Sequence, residues 1–296
     1  FFPQRNHSPV RRGVTTHMYA APCKTVESTW ETPSKGPTVR NIAIVTGASS
    51  GLGLRFAKLL DQGAGGPLDE IWLIARSAEK LDEVASDLTA PTKVLALDLC
   101  DPASFKAVDG ALAAERDLNV QWLLNCAGFG KFGPFTSIGA TANGNMVRLN
   151  CLAVVELCYS CLLYMHAGSR IVNIASAAAL VPQPGLSVYG ATKRFVLDFS
   201  RALDRELGDA GIHVSAVCPK FMDTAFLDRP GSEKALASME WIGFEDPDAV
   251  CAKALRESLR GKACIITAPD MRVANGLCKA LPTGLVMALQ GAVGRT

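Results

Sequence analysis

The sequence predicts an α/β fold: a single domain built on a doubly wound parallel sheet of about seven strands, with helices on both faces. Three observations carry this. Short apolar runs alternate with amphipathic stretches from Asn41 onward. The first three runs are apolar throughout, as strands buried on both faces are. The first run ends in a glycine-rich turn that opens a helix.

The elements follow in order. Ile42 to Val45 is the first strand, and Leu52 to Leu60 the helix after it. Ile71 to Ile74 is the second strand, followed by a charged helix from Ala78 to Leu88. Val94 to Leu97 and Pro102 to Ala114 repeat the pair, and Val120 to Leu124 is the fourth strand. A long helix is expected over Gly144 to Met165, a strand over Arg170 to Ile174 and a helix over Ser187 to Leu207. Ile212 to Val217 is the sixth strand and Ala263 to Ile266 the candidate seventh. Right-handed crossovers place all strand C-termini along one edge, where ligands bind in such sheets.

With 296 residues, 49% of them hydrophobic, the chain suits one globular domain plus extensions. A net charge of +2 speaks for neither nucleic acid nor an anionic membrane surface as partner. The ten cysteines sit mostly in apolar segments, which fits buried thiols and a reducing, cytoplasmic setting better than a disulfide framework. Cys158 and Cys161 form one C-x-x-C without a second pair or a nearby histidine, so no metal site is expected. No apolar run of membrane-spanning length interrupts the chain, so no spanning helix is expected.

Two motifs carry chemistry. Thr46-Gly47-Ala48-Ser49-Ser50-Gly51-Leu52-Gly53 lies between a strand and a helix. Gly47 allows the sharp turn, Gly51 lets the backbone approach a pyrophosphate, and Gly53 permits close packing of helix on sheet. The free N–H groups at the helix start then hold phosphates. Tyr189 and Lys193 are four apart and share a helix face. A fixed positive charge beside a phenol favours the phenolate and lowers its pKa, so that Tyr189 can exchange a proton with a carbonyl or alcohol oxygen.

The loop, Asn125-Cys126-Ala127-Gly128, Asn150, Ser176 and Tyr189-x-x-x-Lys193 occur in order over roughly residues 40 to 265. Together they resemble the short-chain dehydrogenase/reductase family, whose fold is Rossmann-like. The resemblance implies Ser176, Tyr189 and Lys193 as catalytic residues, with Asn150 kinking its helix and linking Lys193 to solvent through water. It implies cofactor contacts from Gly47, Ser49, Ser50, Gly51, Leu52 and Gly53, from Asp98 and Leu99, from Asn125, Ala127 and Gly128, from Tyr189 and Lys193, and from Pro219 and Thr224. Cys126 and Lys220 depart from the family pattern, and lysine in place of glycine puts the local backbone angle in question.

Arg76 ends the second strand, where an NAD-preferring enzyme usually has an acid; guanidinium suits a 2′-phosphate, so NADP(H) is expected over NAD(H). Other readings stay open: Arg76 as a solvated charge, Asp98 as a turn or capping residue beside the better cap Asp101, Ser176 as a strand-end turn residue, and Asn150 as a solvent-facing helix position.

The expected organisation is a disordered or upstream-encoded extension over 1–38, with Met18 as a candidate start. The dinucleotide-binding catalytic domain follows over 39–268, including a substrate flap over 220–245, and a helical extension over 269–296. Met222, Phe226, Leu227, Met239, Trp241 and Phe244 make the flap apolar, which fits a lipophilic ketone, an acyl or steroid-like substrate, or mere packing of the flap. The extension has apolar residues at helical spacing and reads as a lid, an oligomer arm or a membrane-surface helix. The expected activity is NADPH-dependent reduction of a carbonyl to an alcohol, in a homodimer or homotetramer packed through the long helices. The competing readings are a catalytically silent dinucleotide sensor or scaffold, and an epimerase or dehydratase of the extended relatives.

Overall fold

The structure is a computed structural model that describes residues 39–220, 222, 243–282, 284, 285 and 287. Strands β1 (Arg40–Thr46), β2 (Glu70–Ala75), β3 (Thr92–Ala96), β4 (Leu118–Asn125), β5 (Arg170–Ile174), β6 (His213–Cys218) and β7 (Cys264–Ile266) form one sheet in the order β3-β2-β1-β4-β5-β6-β7. Every pairing in it is parallel. The order reverses between β1 and β4, so a crevice opens outside their C-terminal ends.

Strand alternation divides the interior into two cores. Ile42, Ile44, Trp72 and Val120 face α3 (Ala103–Ala113), α6 (Ala153–Leu162) and α7 (Ser187–Leu207) through Val108, Leu157 and Val196. Ala43, Val45, Leu73 and Leu124 face α1 (Gly51–Asp61), α2 (Ala78–Asp87) and α8 (Pro247–Leu259) through Phe56, Leu81 and Leu255. Large side chains such as Phe56 and Leu81, withdrawn fully from water, stabilise the fold by about 2 kcal/mol each. A bulge in β4 sets the register: Ile42 pairs with Val120 but Ala43 with Trp122. The extra residue turns Trp122 to the second core, where its indole N–H donates to the Gly65 carbonyl at 2.9 Å.

The strands and most helices lie where the sequence places them. The long helix differs: it begins earlier and ends earlier than expected, as α5 (Ala140–Val147), a π-helical turn at Arg148–Leu152, and α6. The short α4 (Phe135–Ile138) precedes it, and Gly139 at φ 80° separates the two. The stretch Ala140–Leu162 is 23 residues long and apolar enough to cross a membrane by length and composition alone, a test that the core helix of a globular domain also passes. Half of it is buried, and Val154, Leu157, Cys158 and Cys161 pack it under the sheet as a core helix. Helix α8 was not foreseen; Asp246 caps it by accepting the Asp248 and Ala249 N–H groups, and Pro247 starts it. Helix α9 (Pro269–Ala280) follows β7 and exposes Val273 and Leu277.

Candidate active site

A cavity of about 710 Å³ opens along the C-terminal edge of the sheet. Its floor is the loop between β1 and α1. Gly51 has φ +57°, a region that disfavours side chains, and the space where its Cβ would be is open. A Cβ on Gly53 would strike the Gly47 carbonyl, so only glycine lets α1 close against the loop. Thr46 fixes the far side: its hydroxyl oxygen accepts the Cys126 and Ala127 N–H groups, each at 3.0 Å. That role was not read from the sequence, although Thr46 begins the motif.

Of the sequence-predicted contacts, Gly47, Ser49, Ser50, Gly51, Leu52, Gly53, Arg76, Asp98, Leu99, Ala127, Gly128, Ser176, Tyr189, Lys193 and Pro219 all line this cavity. Asn125 does not. Its side chain turns into the core, where Nδ2 donates to Asn173 Oδ1 at 2.8 Å, because alternation along β4 points it toward α6 and α7. Thr224 and the flap residues Phe226, Leu227, Met239 and Trp241 lie outside the described residues. Lys80, Lys131 and Cys100 line the cavity without having been foreseen; Lys80 lies in the first turn of α2, just beyond Arg76.

Tyr189 and Lys193 sit on the first two turns of α7, 7% and 5% exposed. Tyr189 is hydrogen-bonded to Ser176, whose hydroxyl oxygen also accepts the Ala178 N–H at 3.1 Å. Lys193 Nζ lies 5.9 Å from the tyrosine ring centroid and donates to the Ile174 carbonyl at 2.7 Å. Burial dominates both groups. It pushes the Tyr189 phenol up to about 12, against the pull of the Ser176 bond, and brings Lys193 down to about 8. The expected lowering of the phenol pKa by Lys193 is therefore absent in this state, because desolvation outweighs a charge that is itself desolvated.

Asn150 lies in the π turn, as a kink in that helix requires, but it does not line the cavity. Its amide makes three hydrogen bonds: Oδ1 accepts the Phe129 N–H at 3.1 Å, and Nδ2 donates to the Phe129 carbonyl at 2.9 Å and to Thr192 Oγ1 at 3.1 Å. Gly128 separates it from Lys193, since a Cβ there would meet Asn150 Oδ1 at 3.1 Å and Lys193 Nζ at 3.4 Å. Asp98 realises part of its turn reading, with Oδ1 accepting the Cys100 N–H at 2.9 Å, while Asp101 accepts the Ala103 N–H at the start of α3. Lys220 takes the place of glycine without strain: Asp117 alone among the described non-glycine residues has positive φ.

The lining fits a phosphate-rich dinucleotide. Among the described residues it holds the cations Arg76, Lys80, Lys131, Lys193 and Lys220 against the acid Asp98. The N-terminus of α1 opens onto it, and Ser50 makes no capping bond that would occupy the free N–H groups. A carbonyl oxygen near Ser176 and Tyr189 would meet two hydroxyls.

Comparison with known proteins agrees with this geometry. The short chain dehydrogenase family matches residues 41–235, more than half of the chain. The very-long-chain 3-oxoacyl-CoA reductase-A of Danio rerio is 32% identical over 228 residues, covering 71% of this chain and 69% of that protein. A short-chain dehydrogenase of Sphingobium yanoikuyae, solved in complex with NADPH, superposes with a TM-score of 0.69 at 27% identity, over 83% of this chain and 95% of that one. A short chain dehydrogenase/reductase of Burkholderia phymatum, solved with NAD, shares the fold with a TM-score of 0.71 at 23% identity, over 81% and 93% of the two chains. This chain belongs to the short-chain dehydrogenase/reductase family. It is accordingly an NAD(P)-dependent oxidoreductase acting on carbonyl or alcohol groups.

Proposed function

We propose that the protein reduces a lipophilic ketone, most simply an acyl-chain ketone, to an alcohol with NADPH. The observation that carries this is the convergence of Ser176, Tyr189 and Lys193 on a cavity whose lining is strongly cationic. Arg76 and Lys80 favour NADPH, since both line the cavity and a 2′-phosphate there gains two charge-assisted contacts. The acyl reading draws on the named activity of the Danio rerio relative. It draws also on the apolar cluster of Met146, Leu186, Phe129 and Phe132 packed with Tyr189.

When bound, the nicotinamide supplies the hydride. Ser176 and Tyr189 hold the carbonyl oxygen, and Tyr189 gives its proton to that oxygen as charge develops there. A phenol held near 12 is fully protonated at neutral pH and so stands ready as the acid. Lys193, with its ammonium retained below about 8, then stabilises the phenolate left behind. Gly47, Ser49, Ser50, Gly51, Leu52 and Gly53, which line the cavity at the start of α1, would hold the pyrophosphate, and Asp98 and Leu99 would contact the adenine. Asn150 acts through the Phe129 backbone and Thr192 by fixing the wall beside Lys193.

The chain works as a homodimer or larger oligomer in this account. Val147, Leu152, Tyr159 and Leu163 form an exposed apolar row along α5 and α6, and Phe195 adds to it from α7. None of the nine cysteines among the described residues is in a disulfide, which suits a reducing, cytoplasmic compartment. The test is kcat/KM with NADPH and with NADH over acyl ketones, steroids, diketones and aldehydes. NADPH-dependent turnover of an apolar ketone is expected. NADPH binding without consumption across that panel would instead favour a sensor.

A further inference from the structure

Pro219, Lys220 and Met222 form one wall of the cavity, where the chain leaves β6. The chain returns to the described region at Gly243 and enters α8 at Pro247. One carboxylate joins these two ends to β7. Glu245 Oε2 accepts the Lys220 backbone N–H at 2.7 Å and the Thr267 hydroxyl at 2.7 Å. Met222 and Glu245 form a parallel β-bridge. Thr267 is 3% exposed and directly follows β7, so its hydroxyl is fixed from the core. Outside this junction Lys220 Nζ pairs with Asp270 Oδ2 at 2.9 Å, which ties the same wall to the first turn of α9.

We propose that Glu245 is a positioning residue for the cofactor cavity. It does not line the cavity itself. It acts through Lys220 and Met222, which it holds on the wall by a backbone hydrogen bond and by the bridge. Two donors converge on a single charged oxygen, which strengthens both bonds. With no acceptor there, the Lys220 N–H loses its partner and the Thr267 hydroxyl is left with the Cys218 carbonyl at 3.5 Å, so the side-chain tie between the wall and Thr267 is broken while the backbone bridge at Met222 remains. A neutral amide oxygen can still accept from both donors. The need is thus for an acceptor at this position more than for its charge. This inference rests on reading the cavity as the NADPH site.

The test is NADPH binding by fluorescence titration, paired with kcat at saturating NADPH, for wild type, Glu245→Ala, Glu245→Gln and Thr267→Val. Glu245→Ala is expected to weaken NADPH binding about tenfold, with kcat changed by less than about threefold. Glu245→Gln is expected to restore binding to within about twofold of wild type, and Thr267→Val to weaken it about threefold. Thermal melting accompanies each variant, and if Glu245→Ala does not fold, Thr267→Val and Glu245→Gln carry the test. Wild-type binding in Glu245→Ala, or in Thr267→Val where the former fails to fold, overturns the proposal. So does a loss confined to kcat. A wild-type protein that binds no NADPH would instead sink the cofactor reading on which the proposal stands.

Discussion

Replacing Tyr189 with phenylalanine removes one oxygen and keeps the ring. The ring is 7% exposed, packs with Met146, Ala178 and Leu186, and lies 6.4 Å from the Phe132 ring, so its packing survives. Folding loses the hydrogen bond to Ser176, about 1 kcal/mol for a neutral pair. For a domain of this size that moves Tm by about 2–4 °C. Catalysis loses its proton donor, which costs about 10²–10⁴-fold in rate, or roughly 3–5 kcal/mol of barrier. Stability and activity therefore separate widely in one variant. The assay follows loss of NADPH absorbance at saturating carbonyl, with NADPH binding measured in parallel by fluorescence. Tyr189→Phe is expected to bind NADPH as wild type does and to turn over at less than about a hundredth of the wild-type rate. Turnover above about a tenth of wild type would refute the assignment of Tyr189 as proton donor.

Three further outcomes are expected. Arg76→Ser should lower kcat/KM for NADPH about thirtyfold, the effect of losing about 2 kcal/mol of charge-assisted bonding, and leave NADH nearly unchanged; an equal loss with both cofactors would contradict the 2′-phosphate role. Burial depresses Lys193 to about 8, so its ammonium is present below that pH and lost above it. The kcat/KM for reduction should be flat on the acid side and fall as pH rises through about 8, and a flat profile across that range would remove Lys193 from the chemistry. Tyr159, 70% exposed on the apolar row of α6, should when changed to glutamate shift the protein toward monomer in analytical ultracentrifugation; an unchanged mass would place any interface elsewhere.

The sheet was legible because strands buried on both faces cannot hide their composition: Ile42 to Val45 in β1 and Ile71 to Ile74 in β2 are wholly apolar runs. Helix limits were less legible where the signal lies in backbone angles. The start at Ala140 follows a break at Gly139, and the π turn around Asn150 leaves no periodicity to read. Helix α8 had a readable start in Asp246-Pro247. In the site, the motif residues were visible because a glycine loop and a tyrosine–lysine helix face need particular residue types. The direction of Asn125 followed from alternation along β4, yet the motif outweighed it. Thr46 and Glu245 act through backbone N–H groups of residues distant in sequence, which only the fold brings within reach. The pKa values of Tyr189 and Lys193 depend on burial, and a four-residue spacing says nothing of that.

The central claim is hydride transfer to a carbonyl carbon with NADPH as the source. It is tested most directly with NADPH carrying deuterium at the transferred position of the nicotinamide, incubated with a long-chain 3-oxoacyl thioester and the wild-type protein. Mass spectrometry is predicted to find one deuterium on the new alcohol carbon, in step with NADPH consumed, and none with Tyr189→Phe. An alcohol product without deuterium, or NADPH consumed without product, would contradict the account.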